Sequence, residues 1–126
     1  MIKLEDIERI EGRRATLSVE LLPDETRPFE PRVGVVTRSP RRDRDGKAIL
    51  ALALRDDKAP ETQISYITLR PTNLMVDEYF RDCQVKDIDS NSQEVRILVG
   101  HCDIGVYRLS DDESFIADDL LRKFGL

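Results

Sequence analysis

The sequence predicts a mainly β protein of the α+β kind. It reads as a small antiparallel β-barrel or sandwich of about seven strands, with a short N-terminal helix and a C-terminal amphipathic helix. Three observations carry this. Residues 15–22 alternate, with Ala15, Leu17, Val19 and Leu21 on one face and Thr16, Ser18 and Glu20 on the other, the period of a half-buried strand. Further short apolar runs follow, separated by Pro, Asp, Asn and Gly, without the regular strand-helix alternation of a parallel α/β fold. The last seventeen residues change period, from alternation to helical spacing.

Leu4, Ile7 and Ile10 recur at helical spacing over residues 3–11, and Gly12 follows as a stop, so the chain opens with a short amphipathic helix; a strand over 1–11 is the competing reading. The first strand ends at Pro23. Residues 23–31 contain three prolines and cannot join a ladder, because proline has no N–H to donate. Residues 33–37 resume as a strand and 48–54 form its return, making a hairpin of 32–54 with an overlong charged tip. The run from Ala48 to Leu54 is apolar at every position, which suits a central strand, a strand in a subunit interface or a buried helix. Residues 63–70 form a strand broken by Pro71. Residues 82–88 and 94–99 form a hairpin around Asp89, Ser90, Asn91, Ser92 and Gln93, whose side chains make local turn bonds. Residues 104–109 are the last strand. Ser110 with Asp111, Asp112 and Glu113 makes a capping-box start, Phe115, Ile116, Leu120, Leu121 and Phe124 supply the apolar face, and Gly125 ends the helix.

Length and composition bound the object. At 126 residues the chain has the size of one ordinary domain, and a single globular domain over 1–126 is expected. Leu, Ile, Val and Phe make 37 residues, about 29 %, enough to support a core despite 36 % charged residues. The charged N-terminus and the absence of a long apolar run predict a soluble, cytoplasmic protein. Two cysteines, Cys83 and Cys102, are a poor disulfide framework and are expected as reduced thiols.

The charge is unevenly spread. Arg38, Arg41, Arg42, Arg44 and Lys47 fall within ten residues that also hold Asp43 and Asp45, so this stretch carries +3 and the other 116 residues carry −8 of the total of −5. These five cations are the candidate ligand- or partner-binding residues, because guanidinium groups fork onto carboxylates and phosphates. Nucleic acid is disfavoured: Phe29 and Tyr66 are the nearest aromatics, and a polyanion binder presents a broad basic face.

Catalytic readings run through the single histidine, His101. A turn centred on Asn91 pairs Cys83 with Val99 and Arg81 with His101, which puts Cys83, His101 and Asp103 on one sheet face as a nucleophile-base-orienter set. On that same face Cys83 lies among Val85, Ile97 and Val99, where a thiol behaves as a buried hydrophobe. No metal is expected, since neighbouring residues on a strand cannot both face one ion. Residues 87–98 begin like a calcium loop, but Ser92 stands where glycine is needed and Leu98 where a bidentate carboxylate is needed.

No glycine-rich phosphate loop, G-x-S-x-G elbow or HExxH pair is present. The sequence therefore favours a non-enzymatic binding protein without a cofactor: an adaptor, an inhibitor of the immunity type or an accessory subunit, engaging a protein partner through the 38–47 stretch. The alternatives are a regulatory domain that binds an anionic or phosphorylated ligand at the same stretch, and a cysteine-dependent enzyme using Cys83 and His101. A homodimer through the 48–54 strand is expected, because a small domain has limited means of covering two apolar faces.

Overall fold

The computed structural model describes residues 2–20, 31–42, 48–55, 64–71, 82–91, 93–100, 107–108 and 111–126. The elements run α1 (Leu4–Glu8), β1 (Arg14–Val19), β2 (Arg32–Arg42), β3 (Ala48–Arg55), β4 (Ile64–Arg70), β5 (Asp82–Asp89), β6 (Val95–Val99), β7 (Tyr107–Arg108) and α2 (Asp111–Lys123). Six strands close into a barrel in the order β3-β2-β1-β6-β5-β4, sealed by the pairing of β3 with β4, and β7 adds to β4. A barrel is the alternative realised.

Closure departs from the antiparallel expectation at two seams. β1 runs parallel to β6, with Ala15 opposite Val95, and β4 runs parallel to β5, with Leu69 opposite Cys83. The remaining barrel seams are antiparallel. Alternation then fills the interior: Ala15 and Leu17, Val36, Leu50, Leu52 and Leu54, Ile67 and Leu69, Val85, and Val95, Ile97 and Val99 form one buried cluster. Ile7 of α1 and Ile10 of the following turn are 0 % and 1 % exposed and join the same cluster, closing the barrel end where β1 begins. The helix is shorter than predicted. Leu4 is 40 % exposed, and the Asp6 carboxylate accepts the Lys3 backbone N–H at 2.9 Å.

The apolar run of β3 is explained within one chain. Leu50, Leu52 and Leu54 face the barrel interior, while Ala51 and Ala53 face outward beneath α2, with Val35, Ile64, Tyr66, Ala117 and Leu121. Over residues 50–54, β3 is therefore covered on both faces within one chain. Small Ala51 and Ala53 let the helix approach, and Ala117 answers them from its side.

The apolar face of α2 differs from the sequence reading. Ala117 and Leu121 are buried and Leu120 and Phe124 are half-buried, whereas Phe115 and Ile116 are 78 % and 67 % exposed. At about 100° per residue, 117, 120, 121 and 124 share one arc, Ile116 lies at its edge and Phe115 falls opposite. Arg55 fixes this orientation: its Nη2 donates to Asp118 Oδ1 at 2.6 Å and its Nε donates to the Leu126 carbonyl at 3.2 Å. The hydrogen bond from Arg55, with the positive charges of Arg122 and Arg55, holds the Asp118 carboxyl below the usual carboxylate range despite some desolvation. A depressed carboxylate stabilises the fold fully at neutral pH and loses that contribution as the pH falls through its folded-state value. Asp118→Asn should therefore melt lower than the parent at pH 7. The difference should close below the carboxylate range, as melting curves of both proteins across an acid series would show.

The hairpin of β5 and β6 forms, but not in the expected register. Val85, rather than Cys83, lies opposite Val99, and Asp87, Ile88 and Asp89 lie opposite Leu98, Ile97 and Arg96. The displacement is already present beside the turn, where Asp89 rather than Lys86 lies opposite Arg96; a bulge between Val85 and Asp87 takes back one residue of it, so that Val85 and Ile88, three apart, both serve the interior. The turn acts as predicted at Asp89, whose carboxylate accepts the Asn91 N–H at 3.1 Å.

Candidate functional site

Strand direction gathers the arginines at one barrel end. β1, β3 and β6 start there and β2, β4 and β5 finish there, so the connection preceding β1, the far part of the β2–β3 hairpin and the β5–β6 turn are neighbours. Arg9, Arg13 and Arg14 come from the first, Arg38, Arg41 and Arg42 from the second.

The sequence reading placed all of residues 38–47 in a loop. The structure instead continues β2 to Arg42, which pairs with Ala48. The ladder slips between Arg38 and Arg42, where Pro40 withholds a donor and an irregularity absorbs it. β1 leaves β2 earlier: its start, Arg14, is opposite Val35, and the last bonds between these segments are Gly12 N to Val36 O at 2.6 Å and Val36 N to Arg13 O at 3.0 Å. Beyond Val36, β2 has only β3 beside it among the described residues; β3 keeps its pairing with β4 as far as Leu50, which lies opposite Arg38, so the two-stranded arm begins beyond that pair. Arg38, at its base, is 53 % exposed, and its Nε lies 3.0 Å from Glu11 Oε1. Arg44, Lys47 and the side chains of Arg41 and Arg42 lie outside the described residues.

Beside the arm is a cleft of about 490 Å3 lined by Gly12, Arg13, Arg14, Gln93, Glu94 and Phe124. Gly12 has φ +81°, a conformation that suits glycine and turns the chain from α1 into β1. Arg13 Nη1 donates to the Ser90 carbonyl at 3.2 Å, tying this turn to the β5–β6 turn. The Thr16 hydroxyl donates to Glu94 Oε1, and the same oxygen lies 3.8 Å from Arg14 Nε, within Coulombic reach but beyond hydrogen-bond distance. That Nε is buried and has no hydrogen-bond acceptor among the described residues.

Sequence reasoning passed over this cleft. Arg13 and Arg14 stood as a basic pair beside Gly12, but nothing local joins them to Gln93 and Glu94 eighty residues on. The parallel pairing of β1 with β6, Thr16 opposite Arg96, makes them neighbours.

For the cysteine reading, Cys83 has its backbone in β5 opposite Leu69. Its side chain, His101, Cys102 and Asp103 lie outside the described residues, as do Ser110 and the 23–30 segment. Among the described residues, no group of three or more His, Cys, Asp or Glu side chains is arranged to hold a metal ion, and no helix is long and apolar enough to cross a membrane. No family model, curated protein or solved structure matches this chain.

Proposed function

We propose that this chain is a non-enzymatic binding protein, an adaptor, inhibitor or accessory subunit, that docks an acidic face of a protein partner on the arm formed by β2 and β3. The observation that supports this reading is the continuation of β2 through Arg38, Arg41 and Arg42 past the point where β1 leaves it. An arm held by ladder hydrogen bonds presents its cations with less ordering entropy to lose than a free loop would. The chain as a whole is at −5, so an acidic partner is repelled elsewhere and steered to this end.

Replacing Arg41, Arg42 and Arg44 together by glutamate tests it. Surface substitutions cost about 0.5 kcal/mol or less each, so the melting temperature should stay within a few degrees. Quantitative affinity capture from the native lysate should show partners held by the parent reduced at least about tenfold on the variant, roughly 1.4 kcal/mol. The loss should be largest at low ionic strength. Equal retention by both proteins would remove the arm from the function.

A further inference from the structure

We infer that the cleft between the start of β1, the β5–β6 turn and the end of α2 binds a small phosphate-bearing molecule with a planar apolar body. This goes beyond docking on the arm and does not depend on it. The cleft has two chemically different walls. On one, the consecutive residues Arg13 and Arg14 stand against one carboxylate, Glu94, which leaves one net positive charge among the described lining residues. On the other stands the ring of Phe124, half-buried at the end of α2.

Arg14 is incompletely satisfied. Glu94 is engaged by the Thr16 hydroxyl, which holds its Oε1 at 3.8 Å from Arg14 Nε, too far to accept its proton. Arg14 therefore keeps a covered donor without an acceptor, while its side chain is 43 % exposed toward the cleft and solvent. A tetrahedral oxyanion seated between Arg13 and Arg14 supplies charged acceptors at the shorter distances that guanidinium groups prefer, about 2.8 Å. The volume, about 490 Å3, exceeds what inorganic phosphate alone would fill and falls in the ordinary range for small organic ligands. An anion with a ring attached uses both walls, since flat apolar groups pack on an aromatic side chain. A metal cation fits poorly, because among the described residues Glu94 is the one carboxylate lining the cleft and Arg13 and Arg14 line it too.

Phenyl phosphate is the probe, with inorganic phosphate and phenol for comparison, followed by calorimetry and by backbone amide shifts of the full chain. Phenyl phosphate should saturate in the millimolar range or tighter, at least about fivefold tighter than either comparison compound, and should move the amides of Gly12, Arg13 and Gln93. Arg14→Gln should weaken it about tenfold or more, the effect of losing a charge-assisted hydrogen bond. Glu94→Gln should strengthen it by removing the opposing charge, so a gain is expected even if the arginine variant folds poorly. Phe124→Leu should erase the preference over inorganic phosphate. Absence of saturation, shifts confined to the arm, or indifference to both Arg14→Gln and Glu94→Gln would overturn the assignment. The arm variant carrying glutamate at 41, 42 and 44 separates the two readings. It should bind phenyl phosphate at a cleft that still responds to Glu94→Gln, and loss of all binding in it would place the anion on the arm instead.

Discussion

Gly34→Ala is expected to destabilise the protein by about 3 kcal/mol, the upper part of the usual range for overpacking, and to lower its melting temperature by roughly 10 °C. A Cβ at this position would lie 2.1 Å from the Ala53 carbonyl oxygen and 3.0 Å from its carbon, with the Leu52 side chain at 3.1 Å. The first two neighbours are backbone atoms of β3 and cannot swing aside as a side chain can. Relief requires β2 and β3 to part where Val35 pairs with Ala53 and where Arg14 begins its pairing with β2, so two seams of a closed barrel are disturbed together. Alanine restricts the unfolded chain more than glycine does, which favours the variant by about 0.5–1 kcal/mol, too little to offset the clash. Urea unfolding of both proteins would measure it. A midpoint unchanged or raised would mean that the strands open at little cost and that Gly34 is not required by the closeness of β3.

The second large effect belongs to the barrel plug. Ile10→Ala should cost about 2–5 kcal/mol, the loss for truncating a fully buried aliphatic side chain with a cavity left behind. Ile10 is 1 % exposed and packs with Ile7 into the barrel cluster, in a turn fixed by bonds from Ile10 N to Ile7 O and from Arg13 N to Ile10 O. Those backbone bonds hold the turn in place, so the neighbours cannot collapse freely into the void. Leu4→Ala is the internal comparison. Leu4 has the same helical spacing from Ile7 but is 40 % exposed, and its truncation should cost less than about 1 kcal/mol. Equal losses from the two, by denaturant titration, would show that the N-terminal segment lies against the barrel without closing it.

Much of the local structure was legible. Alternation at Ala15 and Leu17 marked the inner face of β1, the all-apolar run of β3 carried a central strand among the readings it left open, and Asp89 and Asn91 marked the turn before β6. The basic residues 38–47 were legible as a cluster, but not as the strand that carries Arg38, Arg41 and Arg42. That stretch reads in the sequence as the charged tip of a hairpin whose strand ends at residue 37. A two-stranded arm with an irregular ladder tolerates a proline that a fully paired strand would not.

The sequence by itself determined the faces of the regular strands β1, β3 and β6, because whether a side chain points in or out of an unbulged strand depends only on the two-residue period of its own backbone. Only the tertiary structure decided what those faces meet. The position of the turn set the β5–β6 ladder three places away from one centred on Asn91, and the bulge between Val85 and Asp87 returned one of them, so that Val99 met Val85 rather than Cys83. Docking against Ala51 and Ala53 chose Ala117 and Leu121 over Phe115 and Ile116 on α2: Ala117 lets the helix come close to the small residues of the barrel wall, and Leu121 fills the space beside them. The parallel seam of β1 with β6 brought Arg14 to Glu94 across eighty positions. Such a seam has no turn of its own to announce it; it exists because a six-stranded sheet leaves two unpaired edges, and closing the barrel satisfies both.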